Sequence, residues 1–312
     1  MILIEHFVEG TPTQPITLAP LGDIQWAGRR DDLAFDHLTE HVQRACSLDA
    51  KFLGTGDYID FASPSNRETF RTGHLYDNAR RVVDDKAKEL TDELVQKVLA
   101  PTAGRWLGLV SGHHYFPLKD GRTTDMYLAE QLGAQFLGED TALVRLTWRA
   151  GPGWSERRGV GGKRSAGGAR YEARRHSIDI WIAHGKGAGQ SPASPMIVLD
   201  RVSQYFDADV YIMGHQTKKC YASANRVVPA FPTSRSRGIS ATPYLTHRSL
   251  HLVGAGGWTR GYVAGQHAGT YVEKALMRPV TLGAPLIHIR PRWRDSQKAG
   301  FKVWDPNITV EG

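Results

Sequence analysis

Sulfur is scarce: Cys46 and Cys220 are the only cysteines in a chain of 312 residues, and neither has a partner at CxxC spacing. Two thiols cannot build a disulfide framework or a four-thiolate metal site, so sulfur chemistry is set aside as the basis of function. Long apolar runs are also missing. No stretch approaches the roughly 18 to 20 residues that cross a bilayer, so no membrane partner is expected. The opening MILIEHFV is apolar, but it contains Glu5 and lacks a basic flank or a small-residue cleavage site, which argues against a secretory leader. A soluble, cytoplasmic protein is the expectation. There is no internal repeat and no convincing linker, and 41% hydrophobic content is enough for a large core. Residues 1–312 are therefore read as a single domain of the α/β class.

Positive charge is plentiful. The formal net charge is +7, which favours polyanionic partners. Residues 151–175 concentrate glycine with Arg157, Arg158, Lys163, Arg164, Arg170, Arg174 and Arg175, between two strand-like segments. This insertion is too glycine-rich to pack and reads as a basic loop suited to phosphate-backbone contact. A merely soluble surface insertion is the alternative reading of the same composition.

Strand-like and helix-like segments alternate. Ile16 to Ile24 is a strand candidate with a Gly-Asp corner, and Asp31 to Leu48 carries Leu38, Val42 and Ala45 at helical spacing. Lys51 to Ile59 contains a second strand ending at Gly-Asp. A long helix follows, with Val83, Ala87, Leu90, Leu94 and Val98 on one face and Pro101 as its stop. Further strands are expected at Arg105 to Val110, Ala142 to Trp148, Ile178 to Ala183 and Ala208 to Met213, with a helix over Met196 to Phe206. Beyond residue 218 the pattern is β-rich through YASANRVV, RSLHLVGAG, TYVEKA and APLIHIRP.

Polar residues fall at one kind of place. The strand candidates end at Asp23, at Asp57, at His113 and His114, at His184 and at His215. In α/β sheets the carboxyl edge is where ligands collect. A divalent cation wants several oxygen or imidazole donors on a rigid scaffold with one position open, and a carboxylate such as Asp57 can bridge two ions.

The order GDIQ (Gly22 to Gln25), GDYID (Gly56 to Asp60), GHHY (Gly112 to Tyr115), AHG (Ala183 to Gly185) and GHQT (Gly214 to Thr217) resembles the calcineurin-like metallophosphoesterases across residues 16–217. The resemblance implies a four-layer α/β/β/α sandwich of two mixed sheets, with the tail segments RSLHLVGAG and GAPLIHIRPRW as strands of the second sheet. It further implies that Asp23 holds a first metal, that Asp57 bridges, and that His113, His184 and His215 hold a second. His114 matches the family's catalytic histidine. Two positions depart from the family pattern: Gln25 stands where a first-site histidine is usual, and Thr217 replaces the second histidine of GHxH. What remains at the first site is Asp23, the shared Asp57 and the amide oxygen of Gln25, which suits a hard ion. The expected cofactor is one or two divalent ions per chain, Mn²⁺ first, with Fe²⁺, Zn²⁺ or Mg²⁺ as alternatives. GGWTRGYVAG and ALMRPVTLGAPLI also look like the tails of phosphoesterases encoded by phages and prophages, which would place the protein in a host cytoplasm.

Other histidines have simpler explanations. His37 to His41 spell HxxEH, the inverted zinc-protease pattern, although a polar helix face explains it as well. His247 or His251 could fold back to replace the missing ligand of the first metal; otherwise these two, His6, His74 and His176 are structural or surface residues. Asp60 is read as a hydrogen-bond acceptor rather than a ligand. The reading that results is a metal-dependent phosphodiesterase or nuclease in which metal hydroxide attacks phosphorus and His114 acts as general acid. Its substrate would be nucleic acid or a nucleotide, with Trp154 and Tyr171 stacking on bases. The alternative is a non-catalytic nucleic-acid binder with a degenerate metal site. The β-rich tail also offers a homodimer edge.

Overall fold

The apolar runs that stop at polar corners become strands of two separate sheets in the computed structural model, which describes residues 1–9, 14–28, 32–62, 76–148, 176–187, 189, 191–230, 244–265, 269–295 and 302–312. The basic insertion, with Arg157, Arg158, Lys163, Arg164, Arg170, Trp154 and Tyr171, lies outside the described residues, as does His74. No helix among the described residues is long and apolar enough to cross a membrane.

One sheet has five strands in the order β13-β10-β2-β3-β4. These are β2 (Ile16–Leu21), β3 (Lys51–Gly54), β4 (Trp106–Leu109), β10 (Leu286–Arg290) and β13 (Asn307–Glu311). β2, β3 and β4 run parallel, while β10 lies antiparallel to both β2 and β13. The other sheet has six strands in the order β1-β5-β6-β7-β9-β8. They are β1 (Ile2–Val8), β5 (Thr141–Trp148), β6 (His176–Ala183), β7 (Val210–Met213), β8 (Lys219–Ala230) and β9 (Tyr244–Ala255). Here too the pairing is mixed: β6, β7 and β9 are parallel, and β5–β6 and β8–β9 are antiparallel. A small hairpin joins β11 (Trp293–Asp295) to β12 (Lys302–Trp304).

Alternation along the strands sends one set of side chains between the sheets and the other outward. Leu18, Leu53 and Ile287 from one sheet meet Val144, Ile180, Ile212 and Val253 from the other in a shared core. The outer face of the five-stranded sheet packs against α1 (Phe35–Ser47), α2 (Asp77–Leu94) and α3 (Thr124–Leu132). Leu38, Val42 and Ala45 of α1 are buried there at the spacing read from the sequence. α2 buries Ala87, Leu90 and Leu94, passes into a π turn that buries Val98, and stops in a 3₁₀ turn containing Pro101. The outer face of the six-stranded sheet packs Trp181, Tyr211 and Met213 against Leu199 and Val202 of α4 (Ser194–Val202).

Three expectations change. TYVEKA is one helical turn, Tyr271–Lys274, rather than a strand, because the Thr270 hydroxyl accepts the Glu273 N–H at 3.1 Å and caps it. The two tail segments do not share a sheet. RSLHLVGAG belongs to β9 beside β7, while LIHIR forms β10 beside β2, in the opposite sheet. Finally, His251 pairs opposite Val210 at the start of β7, and its Nδ1 meets the Tyr221 hydroxyl at 2.9 Å. His247 lies farther out and is exposed, opposite Val227. Extended β9 backbone holds both away from the carboxyl end of β7, so neither replaces a ligand.

Candidate metal centre

Five loops leave the carboxyl ends of β2, β3, β4, β6 and β7, and they meet. Asp23, Asp57 and His184 form one group of potential ligands, and His113, His184 and His215 form another, with the ligand atoms of each group within 4.8 Å of one another. Asp23, Asp57 and His184 are buried, His215 is half-buried and His113 is exposed, so the cluster has a closed floor and an open mouth.

The backbone is bent to allow this. Asp23, Gln25, Asp57, His215 and Thr217 all have positive φ, between 48° and 63°. Such strain in non-glycine residues persists only where surrounding structure imposes it, and it gathers at functional sites. Glycine gives the necessary clearance: a Cβ at Gly112 would lie 2.0 Å from Asp57 Oδ1.

Each carboxylate divides its two oxygens. Asp57 Oδ1 accepts the backbone N–H groups of His113 at 2.5 Å and His114 at 2.9 Å, while Oδ2 lies 3.3 Å from His184 Nε2. Asp23 Oδ2 accepts the His215 N–H at 2.9 Å. Its Oδ1 is buried and has no hydrogen-bond partner among the described residues. The imidazoles are aimed in the same way. His184 Nδ1 must donate to the Thr55 carbonyl at 2.8 Å, which leaves the Nε2 lone pair pointing inward. His215 Nδ1 lies 3.2 Å from that Nε2 and 3.3 Å from His113 Nδ1.

Inward lone pairs facing carboxylate oxygens repel unless something positive sits among them. With protons alone available, burial and the neighbouring Asp57 push Asp23 up to about 7. Burial lowers the affinity of His184 for a proton, but the hydrogen bond and charge of Asp57 outweigh it and raise the imidazole to about 9. Burial, and then the charge of His184, lower His113 and bring His215 down to about 4. Asp57 is pulled well below the carboxylate range, because the His184 and His114 contacts outweigh its burial. The cluster thus retains protons at the spot a cation would take, and its orphaned oxygen and converging nitrogens fit a divalent ion.

The sequence-derived residues find their places. Gln25 is half-buried on the same turn, its N–H donating to the Asp57 carbonyl at 2.9 Å. His114 sits at the mouth, half-buried, with Nδ1 3.1 Å from Asp60 Oδ1 and Nε2 3.8 Å from Asp57 Oδ2. Asp60 is indeed an acceptor, and its partner is the histidine expected to do chemistry. Several supports escaped sequence reasoning. The Tyr58 hydroxyl accepts the Gly56 N–H and donates to the Val110 carbonyl, both at 3.0 Å, tying the β3 loop to β4. Asp125 Oδ2, on a carboxyl that burial pushes up to about 7, takes the Gly112 N–H at 3.4 Å. The Trp258 indole N–H donates to the Gly22 carbonyl at 3.1 Å. Asp60 was visible as the last residue of GDYID; Asp125 and Trp258 carry no local signal. The HxxEH residues do not form a metal group among the described residues: His37 and Glu40 are exposed, and His41 packs against Trp258.

Comparison with known proteins found no matching family model, no matching curated protein and no matching solved structure.

Proposed function

We propose that this chain is a metal-dependent phosphoesterase of the calcineurin-like kind, with helices outside two facing sheets as the family's four-layer arrangement. The observation that carries the reading is the convergence of Asp23, Asp57, His113, His184 and His215 from five loops, with lone pairs directed inward. A divalent ion held there, Mn²⁺ before Fe²⁺, Zn²⁺ or Mg²⁺, would lower the pKa of water and neutralise phosphoryl oxygens.

The protein's own groups account for the rest. Asp57 and Asp23 fix the backbone of the very histidines that line the centre, so ligand positions are set before any substrate arrives. Asp60 faces His114 Nδ1 and orients the ring, which turns Nε2 to the mouth, where in the proposed reaction it would hand a proton to a departing oxygen. Exposure of His113 and half-burial of His114 put the reacting position where a polymer can approach. A phosphodiester in nucleic acid or a nucleotide fits this open mouth and the net charge of +7 better than a small monoester.

The test uses bis-p-nitrophenyl phosphate and a labelled oligonucleotide across a Mn²⁺ titration. His114→Ala should lower turnover about 10²- to 10⁴-fold, the usual contribution of a positioned acid, while leaving Mn²⁺ binding unchanged. Hydrolysis undiminished in the variant defeats the mechanism. Oligonucleotide binding with no hydrolysis by the unmodified protein favours a non-catalytic binder.

A further inference from the structure

The HxxEH segment of α1 opens onto a separate cavity of about 320 Å³, none of whose lining residues belongs to the metal centre described above. His37, Glu40, His41 and Arg44 form one stripe of the helix along it, and Lys219, Trp258, Ala284, Leu286 and Glu311 complete most of the wall. A cation is a poor occupant, because the side chains of Arg44 and Lys219 line the same space and no third ligand joins the two histidines among the described residues.

Two of its polar groups, Lys219 and His41, are left for an anion instead. Glu311 is already held by an ion pair with Arg44 and by His288 Nε2 at 3.2 Å, and Glu40 is exposed to solvent. Lys219 has no carboxylate partner among the described residues, and its amine reaches to 3.6 Å from where a Cβ on Gly283 would stand. His41 Nε2 is buried with no hydrogen-bond partner among the described residues. Burial, then the charges of Lys219 and Arg44, bring His41 down to about 4, so it stays neutral in a positive local field and can present Nε2–H. His37, Gly283 and Gly312 complete the rim, and the apolar part of the wall is Trp258, whose ring centroid lies 5.3 Å from that of His41, with Ala284 and Leu286. A bare oxyanion would leave most of this volume unused, whereas small organic ligands occupy cavities of about 300 to 1,000 Å³.

We propose that this cavity binds a phosphomonoester, its phosphate held by Lys219 and His41 Nε2–H beside the Arg44–Glu311 pair and its organic part lying along Trp258 and Leu286. The inference goes beyond the phosphoesterase reading and stands on different residues. The two sites nevertheless share a wall, since the Trp258 N–H holds the carbonyl of Gly22, the residue before Asp23.

Calorimetric titration of the 312-residue protein with thymidine 5′-monophosphate tests the proposal in unmodified protein and in Lys219→Met, His41→Phe and Asp57→Asn. Expected is one saturable event that survives Asp57→Asn, weakens at least about tenfold in Lys219→Met and His41→Phe, and is displaced by inorganic phosphate. Binding that disappears in Asp57→Asn would belong to the metal centre and overturns the proposal. Affinity unchanged in both Lys219→Met and His41→Phe, or an ester that phosphate does not displace, overturns it equally. Mn²⁺ binding measured on the same samples reports separately on the metal centre.

Discussion

Asp23 and His184 hold protons where the metal is proposed to sit, and this makes metal affinity depend on pH. The sign follows from the two raised values. With His184 lifted to about 9 and Asp23 to about 7, an ion must displace one proton between pH 7 and 9 and two below pH 7. His113 and His215 are lowered, so they are already neutral in that range and release none. Apparent Mn²⁺ affinity should rise about tenfold per pH unit from 7 to 9 and up to about a hundredfold per unit just below 7. Competition against a chromophoric chelator at several pH values checks this, and a flat profile contradicts it. At this scale the sequence was informative: every inward-facing ligand lies at a glycine-flanked corner after an apolar run, a pattern that a strand-and-loop grammar makes visible. Asp125 and Trp258 were hidden because their contacts join positions 13 and 236 residues apart, through no repeating pattern.

Elements deliver these residues through glycines that permit close approach. Gly112 is the tightest case, since a methyl group would meet both Asp57 Oδ1 at 2.0 Å and Asp57 N at 2.3 Å, neither of which can swing aside. Gly112→Ala should cost about 1 to 3 kcal/mol by overpacking and abolish tight Mn²⁺ binding as well. Gly133→Ala is the control. It ends α3 at φ 62° with nothing within 4 Å of a new Cβ, so it should cost about 1 to 2 kcal/mol of left-handed strain and leave Mn²⁺ binding intact. Thermal melting with parallel Mn²⁺ titration separates the two, and equal metal binding in both variants would contradict the assigned role of Gly112. Helices α1 and α2 were legible because their buried residues recur at helical spacing. β1 was not read as a strand: only Ile4 and Val8 of its seven residues are buried, which leaves no clean alternation. The Tyr271–Lys274 turn was misread because β-branched and aromatic content outweighed the capping pattern of Thr270 and Glu273.

Across the whole molecule, the candidate centre joins the two sheets. Asp23, Asp57 and His113 follow strands of the five-stranded sheet, while His184 and His215 follow strands of the six-stranded one. An ion held by both sets would act as a cross-link at one end of the sandwich, while Leu18, Leu53, Ile180 and Ile212 hold the interior together without it. Which strand enters which sheet could not be read in advance, because β9 and β10 are similar apolar segments whose placement depends on pairing across the whole fold. Gathering side chains from both sheets around a divalent ion is the central claim, and Mn²⁺ equilibrium dialysis of the unmodified protein against Asp57→Asn tests it most directly. The expected result is saturable binding of one or two ions per chain that Asp57→Asn abolishes or weakens at least about a hundredfold. Binding no greater than that of scattered surface carboxylates, or binding indifferent to the substitution, would contradict it.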